Sequence, residues 1–254
     1  MKQTLNLFGL LLPAYFFVLA CGQTPEAATA QSAVTTKPST AVPSADTLYL
    51  MGKFDPSKDK RFITVDTPYT NRPYMLLRKE AYEAFKSMYA AAKKDGITIT
   101  IISSTRNFQQ QKAIWEGKWS KTTGQAPEPL ERARVILQYS AMPGASRHHW
   151  GTDIDINELN NAGFNKGGKN EVVYAWLKKH AAEYGFCQPY TAGREHGYNE
   201  ERWHWSYTPL SAGFTQEYLD NLTDKNLNGF KGSETALKIG IVEKYVKGIN
   251  PNCN

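Results

Sequence analysis

"SRHHWGTDIDI", residues 146–156, holds two histidines, a turn glycine and two carboxylates within eleven positions. Its alternating end reads as a strand in which Ile154 and Ile156 point to one face and Asp153 and Asp155 to the other. The apolar pair belongs against a core, which leaves the carboxylates on the opposite face. Gly151 permits the tight turn that brings the preceding loop, with His148, back over that face. An imidazole and a carboxylate converging there supply two of the three protein ligands of a catalytic zinc site, whose fourth position is kept for water.

The third ligand has a candidate in "ERWHWSY", residues 201–207. In an extended segment Trp203, Trp205 and Tyr207 share an aromatic face and His204 projects the other way. Glu201 lies three residues before His204, the wrong side of a regular strand. For both to face one ion, Glu201 must sit in a turn entering the strand, or the strand must carry a bulge. The turn-rich "TAGREHGYNEE" before it allows this; Glu200 is the rival carboxylate, and His196 is the substitute ligand.

Around these segments the chain reads as mixed helix and strand without internal repeats. Phe85, Met88, Tyr89 and Ala92 recur at helical spacing, and Asp95-Gly96 ends that helix. "ITITIISST" reads as a buried strand delivering the chain to Arg106, at the kind of strand end where sites gather. "NFQQQKAIWEGKW" and "LERARVILQYSA" are expected to be helical. So is "GGKNEVVYAWLKKHAAEYGF", with Val173, Trp176, Leu177 and Tyr184 on its apolar face and His180 packed beside them. In the tail after Gly213 one helix is expected, over "SETALKIGIVEKYV". The fold class expected is α+β, a single domain with a small antiparallel sheet flanked by helices.

The pattern S-x-H-x-x-G-x-x-x-D at Ser146, His148, Gly151 and Asp155, followed by E-x-x-H at Glu201 and His204, resembles the VanY-type zinc D-alanyl-D-alanine carboxypeptidases. These belong to a wider group with lysostaphin and the hedgehog signalling domain. Upstream, "SSTRNFQQQ" is similar to the same family's "SGYRSFQYQ" at Ser103, Arg106, Phe108, Gln109 and Gln111. The resemblance implies that His148, Asp155 and His204 bind Zn2+ and that Glu201 is the general base, passing a proton from water to the leaving amine. It implies that Arg106 either clamps the substrate's terminal carboxylate or stabilises the oxyanion, with Ser146 and Gln111 hydrogen-bonding the substrate end. The implied substrate is the stem peptide of peptidoglycan, cut at its C-terminal D-alanine. An endopeptidase cutting cross-links, or a non-catalytic wall-binding protein, are the alternatives.

This chain departs from the family at Asp153, where Ala or Ser is usual, and at Thr105, where tyrosine is frequent. Asp153 either orients a ligating histidine or forms a structural salt bridge. His149 lies outside the implied ligand set.

The N-terminus bears on location. Lys2 precedes an apolar run, Leu5 to Ala20, that ends in "VLAC" and has the layout of a secretory signal with a lipobox. Cleavage there makes Cys21 the lipidated first residue of a protein anchored at the bacterial cell envelope. An uncleaved signal anchor is the alternative. Residues 22–47 contain no aromatic residue and few charges and read as a disordered tether, with a root-mean-square reach of about 30 Å. Residues 48–254 are enough for one substantial core. The net charge of +6 is spread without basic runs, so nothing points to nucleic acid, and a monomer is expected. Cys187 and Cys253 remain, either as a disulfide tying down the tail or as two buried thiols.

Overall fold

Residues 46–254 are described by the structure, a computed structural model. The expected leader, the lipidated Cys21 and residues 22–45 of the tether lie outside the described residues. Asp46 opens the described chain by accepting a hydrogen bond from the Tyr49 backbone, which caps a short helix α1, Thr47–Leu50. Helix therefore occupies Thr47, a residue expected in the tether.

Two strands unforeseen in the sequence follow: β1 (Phe62–Thr64) and β2 (Leu76–Arg78) form an antiparallel pair. Helix α2 (Lys79–Lys94) buries Phe85, Met88 and Ala92 as its spacing requires and ends at Asp95. Strand β3 covers Ile101–Ser103, shorter than the β-branched run suggested, and its register shifts against its neighbour between those two residues. Helix α3 (Phe108–Thr122) starts at Asn107, which exchanges reciprocal side-chain bonds with Gln110, and α4 (Pro129–Ile136) starts on a proline. After β4 (Asp153–Ile156) come α5 (Glu171–His180), β5 (Phe186–Cys187), β6 (His204–Tyr207), α6 (Thr208–Asn221) and α7 (Ala236–Ile239). The expected tail helix breaks at Gly240, and Val242–Val246 continues as a π-helical turn.

The main sheet has the order β3-β4-β6-β5, antiparallel throughout. Ile154 pairs with Trp205, and both enter the apolar cluster that α2 and α5 cover, together with Ile101, Ile156, Phe85 and Leu177. Each fully buried side chain of this size contributes about 1.5–3 kcal/mol, so the register of β4 is strongly specified. The other residues of β4 must then face the opposite side. A second cluster, with Trp115, Trp150, Phe214 and Tyr218, joins α3, α6 and the C-terminal segment. Cys187 and Cys253 are bridged, with Cα atoms 5.5 Å apart, which ties the C-terminus to β5.

Candidate metal centre

Across the polar face of the sheet, Ser103, Asp155 and His204 form one row, because Asp155 pairs with Ser103 on β3 and with His204 on β6. Asp153 pairs with Ser206 in the next row. His148 arrives from a 3-10 turn, Arg147–Trp150, that ends at Gly151 in the left-handed region (φ 74°). A Cβ at Gly151 would collide with the Phe62 ring, so this position needs glycine for space as well as for conformation. One ligand atom from each of His148, Asp155 and His204 lies within 4.8 Å of the others.

The remaining ring nitrogens decide which way the histidines face. His148 Nδ1 bonds the Ser104 carbonyl at 2.8 Å, which leaves Nε2 toward Asp155 Oδ2 at 3.4 Å. His204 Nε2 meets Asp153 Oδ1 at 2.9 Å, which leaves Nδ1 3.2 Å from Asp155 Oδ1. Atoms bound tetrahedrally to one zinc at 2.0–2.1 Å are about 3.4 Å apart, so these separations suit such an ion. Asp155 Oδ1 is buried with no hydrogen-bond partner, a costly state for a carboxylate unless a cation takes it. The three donors therefore fit a zinc ion.

Asp153 makes the contacts of both readings of its position, to a histidine and to an arginine. It bonds His204, and it also accepts from Arg147 Nε at 3.1 Å, with Ser206 and Thr152 hydroxyls on its second oxygen. Burial opposes its charge, but the Arg147 guanidinium and the His204 contact hold its carboxyl well below the usual range. Arg147 itself is buried against Trp150 and donates further to Thr215 and Ser206. A carboxylate so fixed orients a ligating imidazole and raises its basicity.

Glu201 lies outside β6, in a turn closed by the His204 amide on the Glu201 carbonyl, as a shared ion requires. Its Oε2 stands 3.3 Å from His204 Nδ1. Its backbone is held on both sides, by the Tyr190 carbonyl and the Gln188 amide. Burial pushes its carboxyl up, with His204 pulling it back down. Glu200 instead pairs with Arg202, and His196 is half-exposed beside Glu195, so neither joins the site. His180 is also peripheral, packed on Trp176 and bonded to Glu183.

A cavity of about 620 Å³ opens over these groups. Arg106 and Ser146 line it, and Arg106 Nη1 lies 3.9 Å from Asp155. Ser103 and Gln111 orient the guanidinium, the latter through Oε1 at 2.9 Å. Gln111 Nε2 donates one hydrogen to the Ala141 carbonyl, which anchors the amide as it poses Arg106, and the residue lines the cavity. His149 lies outside the donor set, as expected: Nδ1 meets the Arg106 carbonyl at 2.7 Å and Nε2 accepts from the Gly144 amide. Trp203 departs from the expected aromatic face. It sits in the turn before β6, where strand alternation has not begun, and lines the cavity 6.2 Å from the Tyr139 ring. Tyr190, which packs on His204, and Tyr198 also line it, and no sequence pattern had marked either.

The family model "D-alanyl-D-alanine carboxypeptidase" (VanY) matches residues 74–210, the span that carries Arg106, His148, Asp153, Asp155, Glu201 and His204. The chain belongs to the VanY family. YodJ of Bacillus subtilis, named as a carboxypeptidase, is 33% identical over 140 residues, covering 54% of this chain and 48% of YodJ. A D-alanyl-D-alanine carboxypeptidase of Enterococcus faecalis is 27% identical over 129 residues, 50% of this chain and 46% of the relative. The chain thus spans about half the length of the curated relatives it matches. Among solved structures, the LdcB LD-carboxypeptidase, described with regard to peptidoglycan recognition, is similar with a TM-score of 0.51 at 25% identity, over 74% of this chain and 81% of that one. Membership of the VanY family accounts for the matched motifs, while Asp153, held by its buried arginine, departs from the usual pattern.

Proposed function

We propose that this protein is a zinc-dependent carboxypeptidase that removes the C-terminal D-alanine from peptidoglycan stem peptides. The observation that carries the reading is the meeting of His148 Nε2, Asp155 and His204 Nδ1 beside a buried Glu201, under a cavity that also holds Arg106. His148, Asp155 and His204 would hold the ion. Bound zinc supplies a Lewis acid that polarises the scissile carbonyl and lowers the pKa of water.

The chain's own residues do the rest. Glu201 takes the proton of the attacking water and returns it to the departing amine, work suited to a carboxyl whose pKa burial has raised. Arg106, held by Ser103 and Gln111, offers a planar fork of donors to the substrate's terminal carboxylate. Its place 3.9 Å from Asp155 sets that carboxylate next to the scissile bond. Asp153 keeps His204 turned so that Nδ1 serves the ion.

In this reading Cys21 is lipidated after cleavage of the leader, and residues 22–45 let a monomeric catalytic domain reach an insoluble polymer from a bacterial membrane surface. Palmitate labelling that persists in Cys21→Ala would remove the anchor from the proposal. Likeness to an LD-carboxypeptidase favours a second substrate preference, a D-alanine joined to an L-centre. Metal content and D-alanine release from defined peptides of four and five residues test both. Release from the pentapeptide supports the first preference and release from the tetrapeptide the second, while metal-loaded protein that releases none from either rules the activity out.

A further inference from the structure

The cavity continues well past the metal end. Gln111, Ile114 and Lys118 recur at i, i+3 and i+7 on one face of α3, and all three line it. From Gln111 to Lys118 the helix rises about 10 Å. Segment 140–141 runs alongside: the Ala141 carbonyl takes the Gln111 amide, and the Ser140 hydroxyl takes the Lys118 ammonium at 2.6 Å. Asp155 and Glu201 are the carboxylates lining the cavity, and both stand at the metal end. Among the described residues Lys118 has no carboxylate within ion-pair distance. A cation without an anion, with a hydroxyl on it, in the wall of the cavity is complementary to a carboxylate.

We propose that Lys118 and Ser140 form an anion subsite that selects peptides bearing a second carboxylate upstream of the scissile bond. An extended peptide advances about 3.3 Å per residue, so the rise of α3 from Gln111, which holds Arg106, to Lys118 matches roughly three residues of such a peptide and sets the second carboxylate on the third residue from the C-terminus. The subsite therefore reads whether that residue ends in a carboxylate or in an uncharged or cationic group. This inference rests on the carboxypeptidase reading.

Two synthetic peptides test it, both ending in D-alanyl-D-alanine and differing only in a carboxylate or its carboxamide on the third residue from the end. Metal-loaded wild-type protein is expected to show a KM roughly tenfold lower for the acid, with kcat little changed. In Lys118→Met the two KM values converge, and Lys118→Arg restores the preference. Equal KM values in the wild type overturn the subsite and leave the carboxypeptidase reading standing. A preference that survives Lys118→Met, or that is lost instead in Arg72→Met at another part of the cavity wall, also overturns it. If neither peptide is hydrolysed, the preference for D-alanyl-D-alanine ends is overturned and the subsite with it.

Discussion

Acidification should destabilise this fold through His149, and the size of the effect follows from the ring's surroundings. His149 is wholly buried. Because the Gly144 amide can only donate, Nε2 must accept, and the proton sits on Nδ1 facing the Arg106 carbonyl at 2.7 Å. A second proton would break the Gly144 contact and bury an unpaired charge. Burial therefore holds its pKa down to about 3, with the Arg106 carbonyl opposing and the Arg106 charge adding to the shift. The unfolded chain protonates this ring near 6.5, so between about pH 6.5 and 3 the unfolded state binds the extra proton and stability falls as pH falls. At about 1.36 kcal/mol per unit, the loss between pH 6.5 and 4.5 is on the order of 2–3 kcal/mol. Urea denaturation of chelator-treated protein at pH 7.5 and 4.5, for wild type and His149→Gln, isolates this ring from the other titrating groups. The variant is expected to be the less stable at pH 7.5, with a deficit that shrinks by about 2–3 kcal/mol at pH 4.5. A deficit equal at the two pH values would refute the reasoning.

Glu201→Gln is expected to keep stoichiometric metal while kcat for D-alanine release falls by roughly 10²–10⁴-fold, read from metal analysis beside turnover. Asp153→Ala should weaken metal binding by about 10–100-fold in a competition titration and, by stranding the buried Arg147 charge, cost about 3–5 kcal/mol in stability. Adding Arg147→Met should recover much of the stability but not the affinity. Replacing Cys187 and Cys253 by serine opens a link with a sequence separation of 66, worth about 4 kcal/mol by loop-closure entropy, and should lower Tm without changing metal affinity.

By itself the sequence determined the strand, the helices and the donors wherever one local period or one side-chain chemistry was decisive. Ile154 and Ile156 could be buried only by turning Asp153 and Asp155 to the other face, and the spacing of Phe85, Met88 and Ala92 admitted only a helix. The offset of Glu201 from His204 likewise demanded a turn, and a turn is present. Other features depended on partners distant in the chain. Helix α6, overlooked in the sequence, begins on Thr208 and Pro209, and two of the four residues on its buried face, Ser211 and Thr215, are hydroxyl side chains, so no apolar period marks it. The register that sets Asp155 opposite His204, the choice of Nδ1 on His204 by Asp153, and the capture of Gln111 by Ala141 each join segments tens of residues apart. Periodicity reports which face of an element is buried, but only packing decides what lies against that face, and the chemistry of this site is set by those long-range contacts.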